Sequence, residues 1–327
     1  MHIRTKGWAI ALSAAAVTAG VSWLLLQSPA PASAAPVAAP SSGRIAGHPD
    51  FNGIWQANNT ANWDLLTHQA RPLVAQPGIT PGSVVPAAPV VALGSMAWMP
   101  GGQGVVEGDT IPYQPWAAQR KKENQEHWID RDPELKCFEP GLPRAMYMPY
   151  PFQIIQSATK MQMVYEYDDI QRTIHLTKME DYPNTAWMGY STGHWEGDTL
   201  VVDAKYFTDG IWFDRSGDFA SSKLHVTERY TPMGTNAIRY EATIEDPQVF
   251  TRTWKISMPL YKRLEPNLVL ADFRCVEMVE EYMYGNLRKT PLVKHWEGRT
   301  MNVDITHKIP PGESVHERYV SGDPPGK

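Results

Sequence analysis

Cysteine is almost absent from this chain. Its 327 residues include only Cys137 and Cys275. Two cysteines so far apart do not resemble a zinc or haem ligand set. No H-E-x-x-H, no C-x-x-C and no close histidine pair occurs, so zinc chemistry has no support. There is no G-x-G-x-x-G and no Walker loop to cradle a phosphate. No basic stripe is present and the formal charge is −5, so nucleic acid is not an expected partner. These gaps leave no cofactor or metal to expect. Past the N-terminus no apolar run is long enough to span a bilayer.

The N-terminus has the order of a secretory signal. Arg4 and Lys6 precede the uncharged run Trp8 to Leu26, and Ala32-Ser33-Ala34 supplies an A-x-A cleavage site. Residues 1–34 are read as a signal peptide. The alternative is a retained anchor, since the run is long enough to span. Either way the remainder is expected outside the cytoplasm, periplasmic or secreted. Loss of Arg4 and Lys6 takes the charge from −5 to −7. In an exported protein an even cysteine pair suggests one disulfide, Cys137 to Cys275. Two buried free thiols are the other reading.

Aromatics are plentiful, with twelve Trp and fourteen Tyr. They favour strands, and they also line ligand pockets. A ten-residue phrase occurs twice, as H-W-E-G-x-T-x-x-V-D at His194–Asp203 and His295–Asp304. Each copy reads as strand, tight turn, strand. Period-two alternation predicts further strands over 50–56, 152–156, 161–167, 172–176, 224–230, 237–244 and 250–258. Pro115 to Trp128 is the best helix, since Pro115 suits a first turn. Residues 269–284 are ambiguous between strand and helix. Residues 70–112 read as a long loop. The fold class is therefore mainly β: an antiparallel β-barrel with one or two short helices and a long N-terminal loop region. The expected organisation is a Pro/Ala-rich linker over 35–49, a single barrel domain over 50–309 and an extended tail over 310–327.

Gly53-Ile54-Trp55 in the first strand resembles the G-x-W that opens lipocalin barrels, where the Trp plugs the closed end. That resemblance implies a lipocalin-like topology. Gly189-Tyr190-Ser191-Thr192-Gly193 matches the nucleophile-elbow pattern, but a loop precedes it and a hairpin follows, so a serine hydrolase is disfavoured. Met146, Met148, Met161 and Met163 with His175 would offer soft copper ligands. Alternate methionines on a strand are more often core.

The densest stretch runs from Trp187 to Tyr230. Its pattern is W-x-G-x-S-x-G-x-W-E-G-D-T-L-V-V-D, then F-x-D-x-x-W-x-D-R-x-G, then L-H-V-x-E-R. Here the chain resembles a widespread family of secreted bacterial proteins of no established activity. The resemblance extends to Cys137–Arg144 and the region of Cys275. It implies export and paired cysteines, and it carries over no catalytic role.

Alternation sorts the residues of the last segment. Leu224, Val226, Glu228 and Tyr230 share one face, and His225, Thr227 and Arg229 share the other. A carboxylate or imidazole buried in a barrel mouth suits acid–base work. Two functional readings follow. One is a cofactor-independent lyase, isomerase or hydrolase on a hydrophobic, phenolic or glycosidic metabolite, with a pocket roofed by the 178–190 and 207–217 loops. His225 would be the acid or base, Asp214 or Glu228 its partner, and Arg229 or Arg215 the anion stabiliser. Tyr165, Trp187, Trp195, Asp203 and Trp212 would line the pocket. The other is a lipocalin-like binding or carrier protein with the same pocket and no turnover. The bland alternative for the charged residues is an ion pair of Glu228 or Asp214 with Arg215 or Arg229, pinning the Trp212 loop. A structural envelope role is a third possibility.

Overall fold

The computed structural model describes residues 43–73, 75–77, 84–86, 98–177, 184–277, 279–280, 293–296 and 299–302. The expected signal peptide and the expected tail lie outside these residues.

Nine strands close into a barrel. In chain order they are β1 (Gly53–Ala57), β2 (Phe152–Gln156), β3 (Lys160–Tyr165), β4 (Gln171–His175) and β5 (Tyr190–Glu196). Then come β6 (Thr199–Lys205), β7 (His225–Pro232), β8 (Ala237–Glu245) and β9 (Trp254–Lys262). Around the wall the order is β4-β5-β6-β7-β8-β9-β1-β2-β3, and β3 pairs with β4 to close it. The expected β-barrel is present, with one refinement. Up-and-down alternation around a ring cannot close with an odd strand count, so one neighbouring pair must run parallel. That pair is β4 and β5, through Ile174–Ser191 and His175–Thr192.

Period-two alternation builds the wall as read from the sequence. In β7, Val226, Glu228 and Tyr230 are buried while His225, Thr227 and Arg229 are half-exposed. In β8 the buried set is Ile238, Tyr240, Ala242 and Ile244, and in β9 it is Trp254, Ile256, Met258 and Leu260. Closure leaves no long edge to aggregate. The strand expected over 250–258 starts later, at Trp254. Before it, Asp246 gathers the backbone N–H groups of Ser221, Gln248, Val249 and Phe250 into a turn.

One barrel end is closed by the segment leading into β1. Gln156 accepts from the Phe51 N–H through Oε1 at 2.8 Å and donates from Nε2 to the Pro49 carbonyl at 3.0 Å. Trp55 is buried, donates to the Phe51 carbonyl at 2.8 Å, and lies under the Lys262 ammonium. Within the stretch read as linker, Arg44–Ile45 pairs with His48–Pro49.

The other end is where β6 stops and β7 begins, so the 206–224 connection crosses it. Helix α1 (Pro115–Glu126), the short α2 (Trp128–Arg131) and two 3-10 turns at Pro133–Lys136 and Arg144–Met146 precede β2 at this end. α1 matches the expected helix, with Pro115 in its first turn. A Cys137–Cys275 disulfide ties this layer to the chain beyond β9. The second H-W-E-G phrase forms the hairpin Val293–Trp296 with Arg299–Asn302, outside the barrel.

Candidate functional site

Three groups of charged side chains are buried in this fold, and each is built by different elements. The first lies inside the barrel. Arg172 of β4 faces inward and forms an ion pair with Glu228 of β7, through Nη2 to Oε2 and Nη1 to Oε1. Tyr230 and Tyr240 each donate to Glu228 Oε1, at 2.9 and 2.8 Å. Arg172 Nε donates to Ser191 Oγ at 3.0 Å. Glu228 thus accepts four hydrogen bonds, three at Oε1 and one at Oε2. Burial, then the adjacent Glu228 charge, holds the Tyr230 and Tyr240 hydroxyls well above the usual tyrosine range. Such a carboxylate is a structural hub of the barrel interior.

The second group lies in the layer over the mouth. Arg144 forks onto Asp132, Nη1 to Oδ1 at 2.7 Å and Nη2 to Oδ2 at 2.9 Å, and its Nε donates to Asn62 Oδ1 at 2.9 Å. Arg215 bonds Glu134 at 2.5 Å and Glu280 at 3.0 Å. Burial, partly offset by Arg215, pushes the Glu280 carboxyl up to about 7.

The third group is three carboxylates, Asp64, Asp214 and Asp218, all buried and converging within 4.8 Å. Asp64 accepts from the Leu66 N–H at 3.0 Å and Ser216 Oγ at 2.8 Å. Asp214 accepts from the Leu65 and Asp218 N–H groups at 2.8 and 3.1 Å. Asp218 Oδ1 accepts from Tyr113 Oη at 2.6 Å. Burial, then the charges of Asp218 and Asp64, holds Asp214 well above the usual carboxylate range.

The residues expected to work together are divided among these places. Glu228 is in the barrel interior and Asp214 and Arg215 are in the covering layer, in different groups. His225 and Arg229 stand on the outer wall. There His225 Nε2 pairs with Asp203 Oδ1 at 2.9 Å, and Arg229 pairs with Glu196 at 2.9 Å. The wall itself separates His225 from Glu228, as alternation along β7 requires. Of the aromatic set, Trp195 stacks on His48 with centroids 4.5 Å apart, Trp187 packs on Phe138 at 4.9 Å, and Trp212 is buried. The 207–217 loop does cross the mouth, but Ile211 to Ser221 are packed and buried. Ser191 of the nucleophile-elbow match holds Arg172 and is itself buried.

Of the expected ligand set, Tyr165 lines a cleft. Its other walls are Pro140, Ala145, Met148, Tyr150, Pro151, Tyr167 and Ile170, and the cavity is ≈ 10 Å³. That is room for about one water. The Tyr165 hydroxyl lies 3.4 Å from Met146 Sδ and 3.6 Å from Met163 Sδ, and it also meets the Arg172 guanidinium. Burial pushes it up to about 12. Behind it Met146 also touches Tyr230 Oη, at 3.7 Å, so this methionine plugs the barrel mouth.

Sequence reasoning missed Arg172, Asp64, Asp218, Arg144 and Glu134. Only Arg172 carried a local signal: it alternates with Ile174 on an inward face, where an arginine requires a partner. Comparison with protein-family models, with curated proteins and with solved structures returns no match.

Proposed function

We propose that this chain is a lipocalin-like binding or carrier protein for a small apolar or phenolic ligand, taken up beside Tyr165. The observation that carries the reading is the Tyr165 hydroxyl. Tyr165 lines an aromatic and proline-walled cleft, and its hydroxyl meets thioether sulfurs, which are weak acceptors, and the Arg172 guanidinium, which only donates. A ligand oxygen is a better partner, and a ring fits against Tyr150 and Tyr167. The cleft as it stands admits about one water. Entry of a ligand therefore displaces Met148 or Met146, whose unbranched side chains change rotamer at low cost. Binding is favoured over turnover because Glu228, the buried acid of the barrel interior, already accepts four hydrogen bonds.

The same reading includes export. The disulfide supports an oxidising compartment. No helix among the described residues is long and apolar enough to cross a membrane. Kinship with the secreted bacterial family that shares the W-E-G-D-T-L-V-V-D pattern belongs to this proposal.

The test is native mass spectrometry of the purified chain, followed by calorimetric titration with a panel of phenols and small apolar metabolites. The expected result is one ligand per chain, with affinity reduced about tenfold in Tyr165→Phe, the loss of one hydrogen bond. No bound mass and no heat from any panel member refutes it. A second reading, acid–base turnover at the outer wall, rests on the His225–Asp203 pair at 2.9 Å. Substrate conversion that disappears in His225→Ala while Tyr165→Phe keeps full rate selects that reading instead.

A further inference from the structure

The Asp64, Asp214 and Asp218 cluster lies apart from the cleft and is unused by the reading above. We infer that these three carboxylates form a binding site for a hard divalent cation, with calcium as the fitting ion. Two independent observations support it. The first is convergence: one oxygen from each carboxylate lies within 4.8 Å of the others. Three mutually equidistant oxygens at calcium's usual ~2.4 Å from one ion lie at most about 4.2 Å apart, a spacing that the 4.8 Å bound includes. The second is an orphan. Asp218 Oδ2 is buried with no hydrogen-bond partner, on a residue that is 0% exposed. Its one cationic neighbour, Lys121 Nζ, stands at 4.0 Å, outside hydrogen-bond reach.

Charge points the same way. A divalent cation would offset the like charges that three converging carboxylates bring together. The donor set is all oxygen: three carboxylates with Ser216 Oγ beside Asp64. No thiolate or imidazole belongs to it, so copper and zinc are poorly matched. Magnesium keeps several of its waters and demands a tight octahedron. A packed site with Asp214 and Asp218 fully buried favours an ion that accepts protein oxygens in flexible number, which is calcium.

The residues come from two distant segments. Asp64 lies in the connection after β1, and Asp214 and Asp218 lie in the connection between β6 and β7. A bound cation would cross-link them over the barrel mouth.

The experiment uses the whole purified chain, stripped with EDTA and dialysed. Thermal unfolding is followed while calcium chloride is added, with magnesium chloride as a parallel arm. The expected result is a saturable rise in Tm with calcium, at least threefold larger than with magnesium at equal concentration. Asp218→Asn should abolish that rise. Should this variant fail to fold, terbium luminescence on the wild-type chain replaces it. Tyr113, bonded to Asp218 at 2.6 Å, is placed to sensitise terbium, and calcium should quench the emission by displacement. A Tm indifferent to calcium, a rise that persists in Asp218→Asn, or terbium emission that calcium does not displace overturns the inference.

Discussion

Replacing Arg172 by methionine is the sharpest test of the barrel interior. Arg172 and Glu228 are both buried, and Arg172 supplies two of the four hydrogen bonds that Glu228 accepts. Methionine keeps much of the volume and removes the charge. Glu228 is then a buried anion held only by two tyrosine hydroxyls. Breaking a buried pair from one side costs about 3–5 kcal/mol, because a charge is left uncompensated. The lost bond to Ser191 adds about 1 kcal/mol. For a domain of this size the pair term alone lowers Tm by about 6–20 °C. The reciprocal change, Glu228→Gln, should cost less, since the amide oxygen still accepts from Tyr230 and Tyr240. The double variant removes both charges, so its loss should fall short of the summed single losses by at least about 2 kcal/mol. Urea unfolding followed by tryptophan fluorescence gives all four stabilities, with equal m-values as the check on comparability. Arg172→Met within about 1 kcal/mol of wild type would refute the argument. So would strict additivity, which would mean that the two charges do not depend on each other.

Three further outcomes follow from the geometry. Removing the disulfide with Cys137→Ser and Cys275→Ser opens a link of sequence separation 138, so stability should fall by about 5 kcal/mol in the chain-entropy account; equal urea midpoints with and without the disulfide would reject that figure. Gly189 sits at φ +60°, and an added Cβ would lie 2.6 Å from the Phe207 ring and 2.8 Å from the Lys205 carbonyl; Gly189→Ala should therefore cost about 2–4 kcal/mol in the same unfolding assay. The Glu280 carboxyl, raised to about 7 in the folded chain, stabilises fully below its unfolded value of about 4.3, and that stability is lost as pH rises through 7. The fall in Tm between pH 5.5 and 8 should accordingly be shallower in Glu280→Gln, and an unchanged slope would exclude Glu280 as its source.

The wall of the barrel was legible because alternation is local. Each of β7, β8 and β9 places its apolar residues on one face, and the structure buries those faces. The same rule put Glu228 beside Tyr230 and opposite His225, and the structure agrees. It could not supply the partner of Glu228, because Arg172 is 56 positions away. The parallel β4–β5 pair was hidden for a different reason: it follows from the parity of a closed ring, and no single strand encodes that number. The mouth was read least well. An open pocket was expected beneath the 207–217 loop, and packed residues occupy that place. Segments without a period carry no face signal, so their burial shows only once the two ends of the barrel are known.

The 207–221 segment shows why a motif can look catalytic and act otherwise. Asp214 and Arg215 are neighbours in sequence and serve separate groups. Asp214 joins Asp64 and Asp218, while Arg215 pairs with Glu134 and Glu280. Ser216 bonds Asp64, and Gly217 at φ +86° lets the backbone pass Asn124, where a Cβ would come within 2.6 Å. Apolar burial is non-directional and would accept many paths for a loop without helix or strand. Charged bonds aimed in two directions leave few. Trp212, Asp214, Arg215 and Gly217 of the W-x-D-R-x-G pattern thus specify the path of a loop across the barrel mouth. Their spacing is set by which side of that loop each residue must face; the ion pair expected of Asp214 or Glu228 with Arg215 or Arg229 is replaced by Arg215 with Glu134 and Glu280, Arg229 with Glu196 and Glu228 with Arg172.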